Sequence, residues 1–153
     1  MSEAAPKDQA LLYGQDFHAW SQEQGSLLKA RKAAALDWEN LAEEIESLGR
    51  FERSEIRNRL TIVLLHLLKW EFQPEKRKLG WSASILEARD QINQQLEDSP
   101  SMRSFPSTVV ERQYEIARLR AAGETQLPLE AFPLRCPYAL ADILDEGFLP
   151  GAR

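Results

Sequence analysis

The sequence predicts an all-α fold, a compact bundle of about five main helices closed by a proline-rich extended segment and one short final helix. Three observations carry this. Apolar residues recur at three- and four-residue spacing through most of the chain. No alternation of period two runs longer than a few residues. Helix-starting and helix-stopping residues bracket the periodic stretches.

Residues 1–10 read as a flexible lead, and residues 11–150 as a single helical domain. A first helix is expected over Gln15–Lys32, with Asp16 as its N-cap and Phe17, Trp20, Leu27 and Leu28 on its apolar side. Asp37 is placed to cap a second helix, DWENLAEEIESLG. Trp38, Leu41, Ala42, Ile45 and Leu48 form its stripe, and Gly49 is placed to end it. This helix carries Asp37, Glu39, Glu43, Glu44 and Glu46 and no base, whereas Arg50, Arg53, Arg57 and Arg59 follow at once. The adjacency predicts an antiparallel pair of helices with opposite charges across the seam.

The third helix is expected from about Phe51 to Phe72. Within LTIVLLHLL only Thr61 and His66 are polar, which predicts a central, surrounded helix. Gln73-Pro74 ends it, since proline disfavours a helical residue before it. A fourth helix begins near Ser82, with Trp81, Ile85, Ala88, Ile92 and Leu96 as its stripe, and stops at Ser99-Pro100. Pro106 suits the first turn of a fifth, striped by Val110, Tyr114, Ala117 and Ala121, with Gly123 as its C-terminal cap. Pro128, Pro133 and Pro137 punctuate the segment that follows, where Leu127, Leu129 and Phe132 are expected to pack as isolated pegs. ALADILDE makes the last short helix.

Composition narrows the function. The chain has 153 residues, 43% hydrophobic and 28% charged, the balance of a soluble globular protein. A net charge of −5 disfavours general binding to phosphate backbones. No apolar run approaches the length of a membrane span, and MSEAAPKDQA lacks the features of a signal peptide, so a cytoplasmic location is expected. The lone cysteine, Cys136, reads as a small buried apolar residue rather than a reactive thiol.

The stretches LYGQDFHAW, DWENLAEEIESLG, HLLKWEFQPEKR, LEDSPSMR and CPYALADILDEGFLP resemble the successive signature blocks of a bacterial family. It is catalogued as domain of unknown function twenty-nine and is common in cyanobacteria and proteobacteria. The resemblance spans roughly residues 11–150 and implies a compact all-helical domain. It brings no activity, substrate, cofactor or catalytic residue. His18 and Leu79-Gly80-Trp81 depart from the pattern without affecting the fold it implies.

Few constellations carry chemistry. The chain has two histidines, His18 and His66, and no Glu-x-x-His or His-Glu-x-x-His pair. A mixed metal site from His18, His66 and Glu44 would require three helices to converge, so no metal and no cofactor is expected. Glu44 flanks Leu41 and Leu48 at the edge of the apolar stripe, where a carboxylate needs a partner. The cations of the next helix, or His66, are the obvious ones. His66 shares a strip with Arg59, Val63 and Trp70. Glu44, Arg59, His66 and Trp70 therefore form the expected pocket or buried polar cluster, with His66 read as a strut hydrogen-bonded to a neighbouring helix. Lys69, Lys76, Arg77 and Lys78, interleaved with Trp70, Phe72 and Trp81, form a basic-aromatic patch. The favoured reading there is a solvated loop whose aromatic rings turn inward as core anchors. The resulting expectation is a non-enzymatic helical module that binds a protein partner or itself. The alternative is a small enzyme or ligand- or metal-binding protein using the Glu44 to Trp70 cluster.

Overall fold

The computed structural model describes residues 5–151. Among them the fold is all-α, with no strand. The helices are α1 (Pro6–Gln15), α2 (Phe17–Lys29), α3 (Trp38–Phe72), α4 (Leu79–Asp98), α5 (Phe105–Thr125) and the short α6 (Leu140–Leu144). The chain divides into two compact units, Met1–Phe51 and Glu52–Arg153.

In the first unit, part of the expected lead is helical. Pro6 opens α1 with its missing N–H in the first turn, and Asp8 sits favourably beside the helix N-terminus. Gln9 is 1% exposed, which ties α1 down. Residues 1–4 of the lead lie outside the described residues. Asp16 caps α2 as expected, its Oδ1 accepting from the Ala19 amide at 3.0 Å.

The buried apolar residues of this unit are Trp20, Leu27 and Leu36, a small set for three helical segments. A buried polar chain supplements them. The Asp37 amide donates to Gln24 Oε1 at 2.9 Å, and Gln24 Nε2 donates to Gln9 Oε1 at 2.9 Å. The Trp20 indole donates to Asp37 Oδ2 at 3.0 Å. Gln9 Nε2 ends the chain, a buried side-chain nitrogen with no acceptor among the described residues.

The predicted break at Gly49 is absent, because α3 runs without interruption from Trp38 to Phe72. A single glycine inside a helix costs only about 1 kcal/mol, too little to stop one supported on both sides. The antiparallel charge seam goes with it. Arg50 instead reaches Glu43 at 2.5 Å and Glu46 at 4.0 Å, and Arg59 reaches Glu55 at 2.6 Å, all along the same helix.

The second unit holds the main core. Ile56, Leu60, Val63, Leu64, Leu67 and Leu68 of α3 are fully buried. They pack with Ile85, Ala88 and Ile92 of α4, Tyr114, Ala117 and Ala121 of α5, and Phe132 and Ile143. The predicted stripes on α4 and α5 are thus the ones used. Only Ile62 and His66, four residues apart, give the 60–68 stretch an open side.

Two helix ends differ from expectation. α4 begins at Leu79, ahead of Ser82. α5 passes Gly123 and ends at Thr125, with Gln126 adopting the left-handed cap at φ 61°. The proline-punctuated segment is pinned by side chains that satisfy its carbonyls. Tyr114 Oη donates to Pro133 O at 2.5 Å, and Arg118 donates to Leu129 O and Phe132 O. Of the three expected pegs, Phe132 is buried and Leu127 and Leu129 are half-buried.

Candidate functional site: an uncovered apolar groove

The α2 and α3 stripes of the first unit are amphipathic by sequence, yet the chain leaves much of them open. Phe17 and Leu28 are each 51% exposed, Ile45 is 69% and Leu48 is 66%. These four line a groove of about 270 Å³. Trp20, Ser21, Gln24, Gly25, Leu41 and Glu44 complete its floor and walls. Trp38, at 62%, and Phe51, at 63%, extend the apolar surface along α3. An apolar side chain left in water forgoes about 1.5–3 kcal/mol of burial. Clustered exposed apolar side chains rimmed by polar residues are a mark of interaction sites.

Glu44 is the charged group in the groove. It has the partner its position demands, but this is Tyr13, whose Oη donates to Glu44 Oε1 at 2.5 Å. That hydrogen bond comes first among the influences that raise the Tyr13 pKa, so Tyr13 stays a neutral donor. The Tyr13 ring meets Trp20 edge-on at 4.8 Å and Phe17 at 5.9 Å, which braces the groove wall.

The other predicted site residues have separate partners. Arg59 donates to Gln91 Oε1 at 2.7 Å and pairs with Glu55. His66 Nδ1 donates to Ile62 O at 2.7 Å, within its own helix. It is no strut to a neighbouring helix, because its side of α3 is the open one. Burial lowers its pKa, opposed by the Ile62 carbonyl, with Lys69 lowering and Glu124 raising it further. Arg59 and Trp70 lie about 16 Å apart along the axis of a continuous helix, too far to share one small pocket.

The basic-aromatic patch is engaged within the chain. Trp81 is 6% exposed, with Lys69 Nζ 4.8 Å and Lys78 Nζ 5.8 Å from its ring centre. The Arg77 guanidinium lies 4.9 Å over Trp70, and its Nε donates to Trp70 O. Lys69 also pairs with Glu124 at 3.2 Å. Lys76 is exposed. The aromatic rings thus serve as inward supports for cations of this chain.

Cys136 is half-buried. Its Sγ donates to Tyr138 O at 3.5 Å, and burial raises its thiol pKa away from the reactive thiolate. Among the described residues no three His, Cys, Asp or Glu side chains are grouped to hold a metal ion. No helix there is long and apolar enough to cross a membrane.

One arrangement escaped the sequence reading. Tyr138 Oη donates to Glu71 Oε2 at 2.5 Å across 67 residues of sequence. No local spacing signals such a pair, since it forms only when the C-terminal segment folds back on α3.

The fold and groove define a small all-helical domain whose amphipathic surface exceeds what it covers itself. The chain belongs to the family described as domain of unknown function DUF29, which matches residues 12–149. No curated protein and no solved structure matches the chain.

Proposed function

We propose that this protein is a non-enzymatic helical interaction module whose groove between α2 and the start of α3 takes an amphipathic helix of a partner protein. The observation that carries the reading is the open stripe of Ile45 and Leu48 facing Phe17 and Leu28. Between Trp38 and Leu48 it runs about 15 Å, or three helical turns, the footprint of a helix with anchors at i, i+3 or i+4, and i+7.

Charge selects the partner. The α3 wall carries Glu39, Glu43, Glu44 and Glu46 within Asp37–Gly49 and no base. A second copy bound through the same stripe would set acid against acid in either orientation. A helix whose apolar anchors are flanked by lysine or arginine meets complementary charge.

Selection of helical peptides from a displayed library on the full chain tests this. Recovered peptides are expected to carry an apolar i, i+3/i+4, i+7 pattern with basic flanks. Their affinity should fall at least about tenfold for the double variant Ile45→Asp, Leu48→Asp. Peptides that bind the double variant equally, or that carry acidic flanks, would overturn the reading. So would a dimer of the free chain that the same variant abolishes.

A further inference from the structure

The second unit contains a cavity of about 470 Å³, remote in character from the apolar groove. Its lining includes Glu71 near the end of α3, Tyr138 ahead of α6, Asp142 within α6, and Gly147, Phe148 and Pro150 beyond it. Three separate stretches therefore converge on one concave space of small-ligand size.

The wall is fixed from behind. Arg89, 1% exposed, donates through Nε to Ile143 O at 2.7 Å, through Nη1 to Phe148 O at 2.8 Å and through Nη2 to Asp142 O at 3.2 Å. The guanidinium aims these three donors at carbonyls and does not line the cavity, while its charge lies near the Asp145 and Asp142 carboxylates. Arg77 stands at the rim, with Nη2 3.5 Å from where a Cβ on Gly151 would lie.

Inside, the hydrogen-bond inventory is one-sided. Tyr138 Oη donates to Glu71 Oε2, and Glu71 Oε1 accepts from no donor among the described residues. The Asp142 carboxylate accepts from no donor among the described residues. Burial, then the Glu71 bond, raises the Tyr138 pKa, so the phenol remains a neutral donor. The Tyr138 and Phe148 rings meet edge-on with centres 6.1 Å apart. Among the described residues the cavity thus offers carboxylate acceptors beside aromatic carbon with no cation in its lining, Arg89 standing behind Asp142 and Arg77 at the rim. Among the described residues no third His, Cys, Asp or Glu stands with the two carboxylates to hold a bare metal ion. An organic cation supplies both the donors and a carbon frame to fill the space.

We propose that this cavity binds a small organic ammonium ion, with Glu71 and Asp142 as its acceptors and the Tyr138 and Phe148 rings beside its alkyl part.

Isothermal titration of the full chain with 1,4-diaminobutane at low ionic strength tests this, with butane-1,4-diol as the uncharged control. Saturable one-to-one binding of the diamine alone is expected. Asp142→Asn should weaken it at least about tenfold, whereas Tyr138→Phe, which keeps the ring and frees Glu71, should hold it within about threefold. Glu130→Gln removes an exposed acid of the same unit and should leave binding unchanged. Thermal unfolding of each variant confirms that it is folded. No saturable binding, equal binding of the diol, full retention by Asp142→Asn, or an equal loss in Glu130→Gln would each overturn the proposal.

Discussion

The Trp20 indole donates to Asp37 Oδ2 at 3.0 Å, and the same carboxylate accepts from the Asn40 side chain at 2.8 Å at the start of α3. One aspartate therefore joins α2 to α3 and begins the longest helix of the chain. Its amide is held in turn by Gln24. In a unit with few buried apolar residues, this polar junction decides how the two helices meet.

Asp37→Ala is accordingly expected to destabilise the first unit by about 2–4 kcal/mol. The lost cap contributes about 1 kcal/mol and the stranded, buried indole N–H about 1–3 kcal/mol. Urea unfolding followed by tryptophan fluorescence measures it. A loss below about 0.5 kcal/mol would mean that the junction is ornamental.

Ile45→Asp and Leu48→Asp should behave oppositely to core substitutions. Both side chains already face water, so each change is expected to shift stability by about 0.5 kcal/mol or less. Leu64→Ala, at a fully buried position, should cost about 2–5 kcal/mol. Denaturant midpoints of the three variants separate an open stripe from a packed one.

These contrasts show what the sequence made legible. Periodicity identified the buried faces of α4 and α5, because burial of Ile85, Ile92 and Ala117 follows directly from spacing; the 60–68 stretch of α3, expected to be surrounded, keeps an open side at Ile62 and His66. It could not say whether an apolar stripe is covered. The Ile45–Leu48 stripe has the same pattern as the Ile85–Ile92 stripe, yet one lies open and the other is buried. Helix stops were legible where proline enforces them, at Pro74 and Pro100, but not at Gly49 or Gly123. Glycine only lowers helix propensity, and packing overrides it. Pairs such as Tyr13–Glu44 and Tyr138–Glu71 depend on chain return and leave no local signature.

Arg89→Met should loosen the C-terminal segment selectively. The change keeps apolar bulk but strands the carbonyls of Asp142, Ile143 and Phe148. A loss of about 3–5 kcal/mol is expected, since each hydrogen bond to a charged group contributes about 1.5–3 kcal/mol. Hydrogen exchange should rise across residues 140–149 and change little in α1 and α2. Uniform exchange throughout the chain would contradict a local clamp.

His66 predicts a pH dependence. Burial holds its folded-state pKa below the ordinary 6.5. The folded state thus binds fewer protons than the unfolded state between the two values, and stability rises with pH there. The contribution is present above 6.5 and is lost as pH falls through the lower folded value. His66→Gln removes the titration, so its stability should vary less with pH just below 6.5 than that of the parent chain. Denaturant unfolding at intervals from pH 7.5 to 5 would show this, alongside the imidazole resonance titrating below 6.5.

Gly123→Ala discriminates between a cap and an interior site. At a left-handed cap, alanine would be strained and stability would fall. In the structure Gly123 lies within α5, a Cβ there would meet nothing within 4 Å, and Gln126 carries the positive φ of 61°. Alanine lowers the backbone freedom of the unfolded chain and adds no clash. The substitution is therefore expected to stabilise the protein by about 0.5–1 kcal/mol. Gln126→Gly should also stabilise, since glycine accepts the left-handed conformation that glutamine holds at a cost. The lost Gln126 Nε2 bond to Gly123 O, exposed at 2.8 Å, offsets only part of that gain. Calorimetric melting of both variants reads the two signs directly, and a fall in the Gly123→Ala midpoint would return the cap to residue 123.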